Sequence, residues 1–243
     1  MSDRQLASLT NALLAYGKTL SSAVLFPTVI EEAAQFVTRD PYAFCIATCL
    51  DRGAKADIIW TIPYDIKNLL GHLDPHQVYK MSLTEITALF DHLPRRPRYV
   101  NAAPRTLQEL TRIVVEECNG DASRIWKGKS AAEVKWIFRS IYGVGPGIAN
   151  MAVLLIEKAF LVRFEDRANM DIKPDIHTKR VLYRLGASFA ETEEAAIEAT
   201  RRMNPEYPGI VDGALWYVGR TWCSPTCPNC VDCPVSGVCA KRS

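Results

Sequence analysis

Three observations on the 243-residue chain predict an all-α fold. Apolar residues return at helical spacing almost throughout, alternating β-branched runs are scarce, and Pro- and Gly-marked breaks cut the sequence into helix-length pieces. The periodicity is plain in LASLTNALLAYGKTL near the start, in AAPRTLQELTRIVVEEC (102–118) and in AAIEATRRM (195–203). The breaks include LPRRPR (93–98) and CNGDASRIWKGKS (118–130). Ordinary helix and loop lengths then give about ten helices. No internal repeat, low-complexity tract or long linker interrupts the pattern.

Composition narrows the function classes. Apolar residues make up 48% and charged residues 23%, the profile of a soluble globular protein. The length suits one large domain or two small ones. A formal net charge of +2 neither demands nor excludes a nucleic-acid partner, so any such argument must be local. No apolar run is long enough to span a bilayer, and MSDRQLASLT is not a signal peptide. A cytoplasmic protein without a membrane partner is expected.

Five of the eight cysteines fall between Cys223 and Cys239. Cys45, Cys49 and Cys118 sit in apolar helical contexts and are expected to be small buried hydrophobes. Without a secretion signal, the clustered thiols read as a metal site rather than a disulfide knot. Cys223, Cys230, Cys233 and Cys239 are spaced C-x6-C-x2-C-x5-C. Four thiolates suit a tetrahedral zinc ion or a [4Fe–4S] cluster, and ligand type does not choose between them. Cys227 with Cys230 and Cys233 would also form a ferredoxin-like run. The separated CxxC knuckles of a zinc ribbon are missing.

Two further stretches bear on chemistry. Ile141-Tyr142-Gly143-Val144-Gly145-Pro146-Gly147 lies between two helical patterns. Glycines let a main chain approach closely, and N–H groups at a helix start attract an anion, so the turn suits a phosphate. Val144 is expected to point inward and hold the turn. Such a contact fixes register on a duplex without reading sequence. A plain corner between helices is the alternative. About thirty residues later comes Lys173-Pro174-Asp175-Ile176-His177-Thr178-Lys179-Arg180-Val181. There Asp175 also reads as an N-cap.

These stretches together carry a family resemblance. The 6-2-5 cysteine spacing resembles the C-terminal iron–sulfur loop of endonuclease III and the adenine glycosylases. Gly143-Val144-Gly145 resembles the helix-hairpin-helix signature Leu-Pro-Gly-Val-Gly, and the segment around Asp175 is similar to the family's Val-Asp-Thr-His. Asp40-Pro41-Tyr42, opening AFCIATCL, resembles the start of the family's second helix. On these motifs the chain is identified as a member of the helix-hairpin-helix DNA glycosylase superfamily. The resemblance implies two lobes: a helical barrel over 34–159 ending in the hairpin, and a second lobe from 1–33 with 160–243 carrying the cysteine loop. It implies a [4Fe–4S] cluster rather than zinc, on Cys223, Cys230, Cys233 and Cys239, and leaves Cys227 unassigned. Arg220, Lys241 and Arg242 are the charges it would offer to DNA. The implied partner is double-stranded DNA carrying a lesion or mismatch, bound by a monomer.

The implied chemistry is base excision. Breaking an N-glycosidic bond makes the sugar oxocarbenium-like, and a fixed carboxylate stabilises that charge and orients a water. Asp175 matches the family aspartate. Gly147 departs from the family, because strand-cutting members place there a lysine that attacks the sugar to form a Schiff base. Water is therefore the expected attacker, and an intact abasic site the expected product. Tyr142 replaces the family proline, either lining a base pocket or filling core, with core the expected role. The glutamine that often fills the hole left by a flipped base falls near Gly53, so Arg52 and Lys55 are the candidates to intrude. Lys179 reads as a phosphate contact or a solvated charge, and His177 as a packed or surface residue. Arg95, Arg96, Arg98 and Arg105, with Tyr99, form either a DNA-backbone face or an exposed loop. Trp126 reads as a packing anchor. The alternatives are a glycosylase–lyase using Lys173 or another lysine, and a catalytically silent lesion-binding protein.

Overall fold

The computed structural model describes residues 1–241, all of them helical or in connecting turns, with no strand among them. Helix α1 (Asp3–Gly17) starts at a Ser2/Gln5 capping box, and a single turn, α2 (Ser22–Leu25), follows. Then come α3 (Glu31–Arg39), α4 (Pro41–Leu50), α5 (Ala56–Leu70), the short α6 (Pro75–Tyr79), α7 (Leu83–Asp91) and α8 (Ala103–Arg112). A wider, π-type turn (Ile113–Glu117) extends α8 before α9 (Ala131–Ser140) and α10 (Pro146–Phe160). The chain closes with α11 (Ile176–Leu185), α12 (Glu193–Met203) and α13 (Asp212–Thr221), followed by the cysteine loop. No described helix is long and apolar enough to cross a membrane.

The chain divides into two compact units: Phe26–Glu165, and Met1–Leu25 joined with the segment from Asp166 onward. The resemblance implies limits at 34 and 159. Phe26 is the reason the first limit lies earlier. It is 1% exposed and packs on Trp60 with ring centroids 5.4 Å apart, so the approach to α3 belongs to the core of that unit. Phe44, Trp126 and Phe160 complete the aromatic cluster, with Trp126 stacked on Phe160 at 4.8 Å. Trp126 is the anchor its sequence context suggested, at 2% exposure. Cys45, Cys49 and Cys118 are buried, and burial pushes all three thiols up. A buried carboxylate, Asp65, is held by both Nε and Nη2 of Arg95 at 2.8 and 2.5 Å. A buried acid needs such a partner, which makes Arg95 a structural charge.

The other unit packs Leu6, Leu9 and Leu13 of α1 against Val181, Leu182 and Leu185 of α11 and Leu215 and Val218 of α13. Cys223, Cys233 and Cys239 pack against the same core. Helices α11 and α13 approach closely at Gly219, where a Cβ would stand 2.7 Å from the Cβ of His177. Any larger residue would force them apart.

Candidate functional site

The glycine corner is built from both sides in sequence. Ser130 caps α9 in a capping box with Glu133, and α9 ends at Ile141. Gly143 turns the chain with φ +78°, a left-handed conformation that costs a residue with a Cβ. A Cβ there would also overlap the guanidinium of Arg52, which donates to the Gly143 carbonyl. Val144 is buried, as its inward role requires, and Gly145 caps α10, with Pro146 at its first position.

Arg52, from the loop after α4, also donates to the Thr106 hydroxyl at 3.0 Å. That hydroxyl shares its own proton between the carbonyls of Ala102 and Tyr142, at 3.0 and 2.9 Å. The Tyr142 N–H donates to Glu109 at 2.8 Å, and Glu109 pairs with Arg105. The carbonyls of Tyr142 and Gly143 are thus bound by protein, while the Gly147 and Ile148 N–H groups precede the first repeating helical bond, Ala149 N–H to Gly145 O. Helix N–H groups in that first turn have no intrahelical partner. A Cβ at Gly145 would meet nothing within 4 Å, so the outer side of the turn is open.

Tyr142 does not fill core. It is 40% exposed, with the Arg105 guanidinium 4.1 Å from its ring centroid. The cation holds the ring at the surface. The Lys55 side chain is exposed and makes no hydrogen bond or ion pair among the described residues. Gly53, at φ +69°, is backed by Arg98 and Tyr99. Arg96 donates to the Asp91 carbonyl.

Asp175 is the N-cap of α11. Its Oδ1 accepts the N–H groups of His177 and Thr178 at 2.8 and 2.9 Å. Its Oδ2 accepts no hydrogen bond and the side chain makes no ion pair among the described residues. The side chain is partly exposed. The cap therefore fixes one carboxylate oxygen and leaves the other available. His177 packs beside Arg180, 3.2 Å from its Nη2, and Lys179 is partly exposed, its side chain making no hydrogen bond or ion pair among the described residues.

A second carboxylate, unforeseen from the sequence, stands in the same unit. Asp212, the first residue of α13, accepts the Lys173 N–H on Oδ1 at 2.7 Å. Burial pushes its carboxyl up to about 7; the Lys173 N–H opposes this, the charge of Asp175 adds to it, and the Lys173 ammonium opposes it. Position 212 lies far from 173 in the chain, and no local motif joins them.

In the cysteine loop, Cys223, Cys230, Cys233 and Cys239 line a cavity of about 310 Å³, floored by Val181, Leu185 and Val218; Cys227 is not among its lining residues. Burial pushes the Cys233 and Cys239 thiols up, and both feel the charges of Cys223 and Cys230. No three His, Cys, Asp or Glu side chains among the described residues are gathered tightly enough for one metal ion. The four thiols line one cavity, the sulfur-only donor set that zinc and a [4Fe–4S] cluster both take. Arg180 and Arg184 of α11 hold the loop: Arg180 Nε donates to the Cys223 carbonyl at 2.7 Å, and Arg184 to those of Ser224 and Pro225, each at 2.7 Å. Arg184 Nη1 also lies 3.5 Å from the Cys223 sulfur. Of the three cations assigned to this region, Arg220 lies 5.1 Å over Trp216, Lys241 is exposed, and Arg242 is outside the described residues.

This architecture is the two-lobed, all-helical helix-hairpin-helix glycosylase fold. The solved structures that share it include endonuclease III trapped on DNA as a covalent intermediate, with a TM-score of 0.68 at 18% identity over 99% of this chain and 97% of that one. A non-covalent endonuclease III–DNA complex gives 0.65 at 20% identity, covering 99% and 96%. A thermostable thymine-DNA glycosylase gives 0.66 at 19%, covering 98% and 97%. No protein-family model and no curated protein matches the sequence.

Proposed function

We propose that the protein is a monofunctional DNA glycosylase that hydrolyses the N-glycosidic bond of a flipped damaged or mispaired base. The observation that carries this reading is Asp175: a partly exposed carboxylate with one oxygen fastened by two backbone N–H groups and the other accepting no hydrogen bond among the described residues. It sits on a fold shared over nearly the whole chain with glycosylases solved on DNA. In the reaction the C1′–N bond breaks and its electron pair leaves with the base. Asp175 stabilises the cationic sugar and orients a water, whose oxygen bonds to C1′ and whose proton ends on the departed base, which leaves neutral. The preset cap keeps the carboxylate from reorganising as charge develops.

Gly147 supplies no amine, so no covalent adduct forms through that position. The hairpin binds a backbone phosphate at the first turn of α10, where the glycine-lined side is open. Arg52 holds the corner rather than entering the duplex, which leaves Lys55 as the cation able to do so. The cysteine cavity favours a [4Fe–4S] cluster on Cys223, Cys230, Cys233 and Cys239, its role being to hold the loop that α11 also grips. The group is structural and takes no part in bond cleavage.

Incubation with a panel of lesion and mismatch duplexes tests the reading. Free base should appear, the strand should stay intact until treated with alkali, and borohydride should trap no protein–DNA adduct. A trapped adduct would establish the lyase alternative through Lys173 or another lysine. Tight binding with no base released from any duplex would establish the silent binder.

A further inference from the structure

Arg105 of α8 is fastened to the glycine corner from two sides and leaves its two amino groups unspent. Its guanidinium carbon lies 4.1 Å from the centroid of the Tyr142 ring. Its Nε donates to Glu109 Oε1 at 3.1 Å, while Glu109 Oε2 accepts the Tyr142 N–H at 2.8 Å. The Tyr142 carbonyl accepts the Thr106 hydroxyl at 2.9 Å, so the backbone that carries the ring is itself bound to α8. Neither Nη1 nor Nη2 of Arg105 makes a hydrogen bond among the described residues, and the side chain is 55% exposed. Nearby arginines are spent on the protein: Arg95 on Asp65, Arg96 on the Asp91 carbonyl, and Arg52 on Gly143 and Thr106. All of these residues belong to the Phe26–Glu165 unit.

We propose that Arg105 binds a duplex backbone phosphate through Nη1 and Nη2, beside the phosphate taken by the glycine corner, with Tyr142 as the residue that positions it. The planar Nη edge presents two donors side by side, the pattern that fits two oxygens of one phosphate. Glu109 has both oxygens engaged by protein N–H groups, so it orients the fork from the Nε side. A side chain already held in place avoids most of the ordering cost that a loose surface arginine meets on binding. The resemblance puts proline at 142, and proline has neither a ring with a negative face nor an N–H for Glu109; both anchors of the guanidinium therefore come with Tyr142. Such a contact adds to affinity for any duplex and reads no sequence. The proposal rests on the reading of the hairpin as a duplex contact.

The test is duplex affinity against salt, measured by fluorescence anisotropy on an undamaged duplex and on one carrying a tetrahydrofuran abasic analogue. The slope of log K on log salt should be shallower by about 0.9 in Arg105→Gln than in wild type, equally on both duplexes. Arg105→Lys should restore the slope, for which one cation is enough, but not the full affinity. Tyr142→Leu should weaken both duplexes roughly two- to fivefold at unchanged net charge, and Tyr142→Phe, which keeps the ring, should bind as wild type does. An unchanged slope in Arg105→Gln overturns the proposal and leaves Arg105 a brace of the corner. A loss confined to the abasic duplex overturns it too, making Arg105 a lesion contact. If Arg105→Gln fails to fold, the tyrosine pair decides, and equal affinities of the leucine and phenylalanine variants overturn the proposal. All three of these results leave the excision reading for Asp175 standing. A wild-type protein that binds neither duplex overturns the proposal together with the reading of the hairpin.

Discussion

At Gly143 the conformation and the packing make the same demand. The residue sits at φ +78°, and the space where a Cβ would project holds the Arg52 guanidinium. Gly143→Ala must therefore strain the backbone, by about 1–2 kcal/mol, and also dislodge Arg52 from the Gly143 carbonyl and Thr106. A loss of about 2–4 kcal/mol is expected by denaturant unfolding, with weaker duplex binding. Gly145 differs, since a side chain there meets nothing. Its alanine variant should be nearly neutral for stability, and any loss of DNA affinity would report on the phosphate contact. The sequence showed the glycines but not their division of labour, because Arg52 reaches the turn from 91 residues away.

Among the elements, the cysteine loop is the one whose sequence spoke most clearly and left the sharpest ambiguity. Spacing alone admitted either Cys223 or Cys227 as the first ligand. In the structure Cys223 packs on the helical core and lines the cavity, whereas Cys227 is exposed and lies outside its lining. Cys227→Ser should retain iron and absorbance at roughly 400 nm, while Cys230→Ser should lose both. Loss in Cys227→Ser with retention in Cys223→Ser would favour the ferredoxin-like run. Helix α11 is the second informative element. Its start was legible because an Asp before an amphipathic helix is a local signal. Its grip on the loop through Arg180 and Arg184 was not, because those partners are carbonyls some 40 residues on, which a sequence does not advertise.

Across the whole molecule, fold class was readable because helical apolar periodicity survives wherever a helix buries one face. Phe26 joins the aromatic core of its unit through tertiary contact, which helical periodicity does not show. Asp175 could be found by motif. Asp212 could not, for its meaning lies in a bond to Lys173 across 39 residues and in the water that packing removes from it. Excision itself is the claim on which the functional account turns, and mass spectrometry of bases released from damaged genomic DNA tests it most directly. Wild-type protein should release a discrete base or small set of bases, and Asp175→Asn should release none while binding the same DNA. Equal release by the two proteins, or release by neither, would contradict the account.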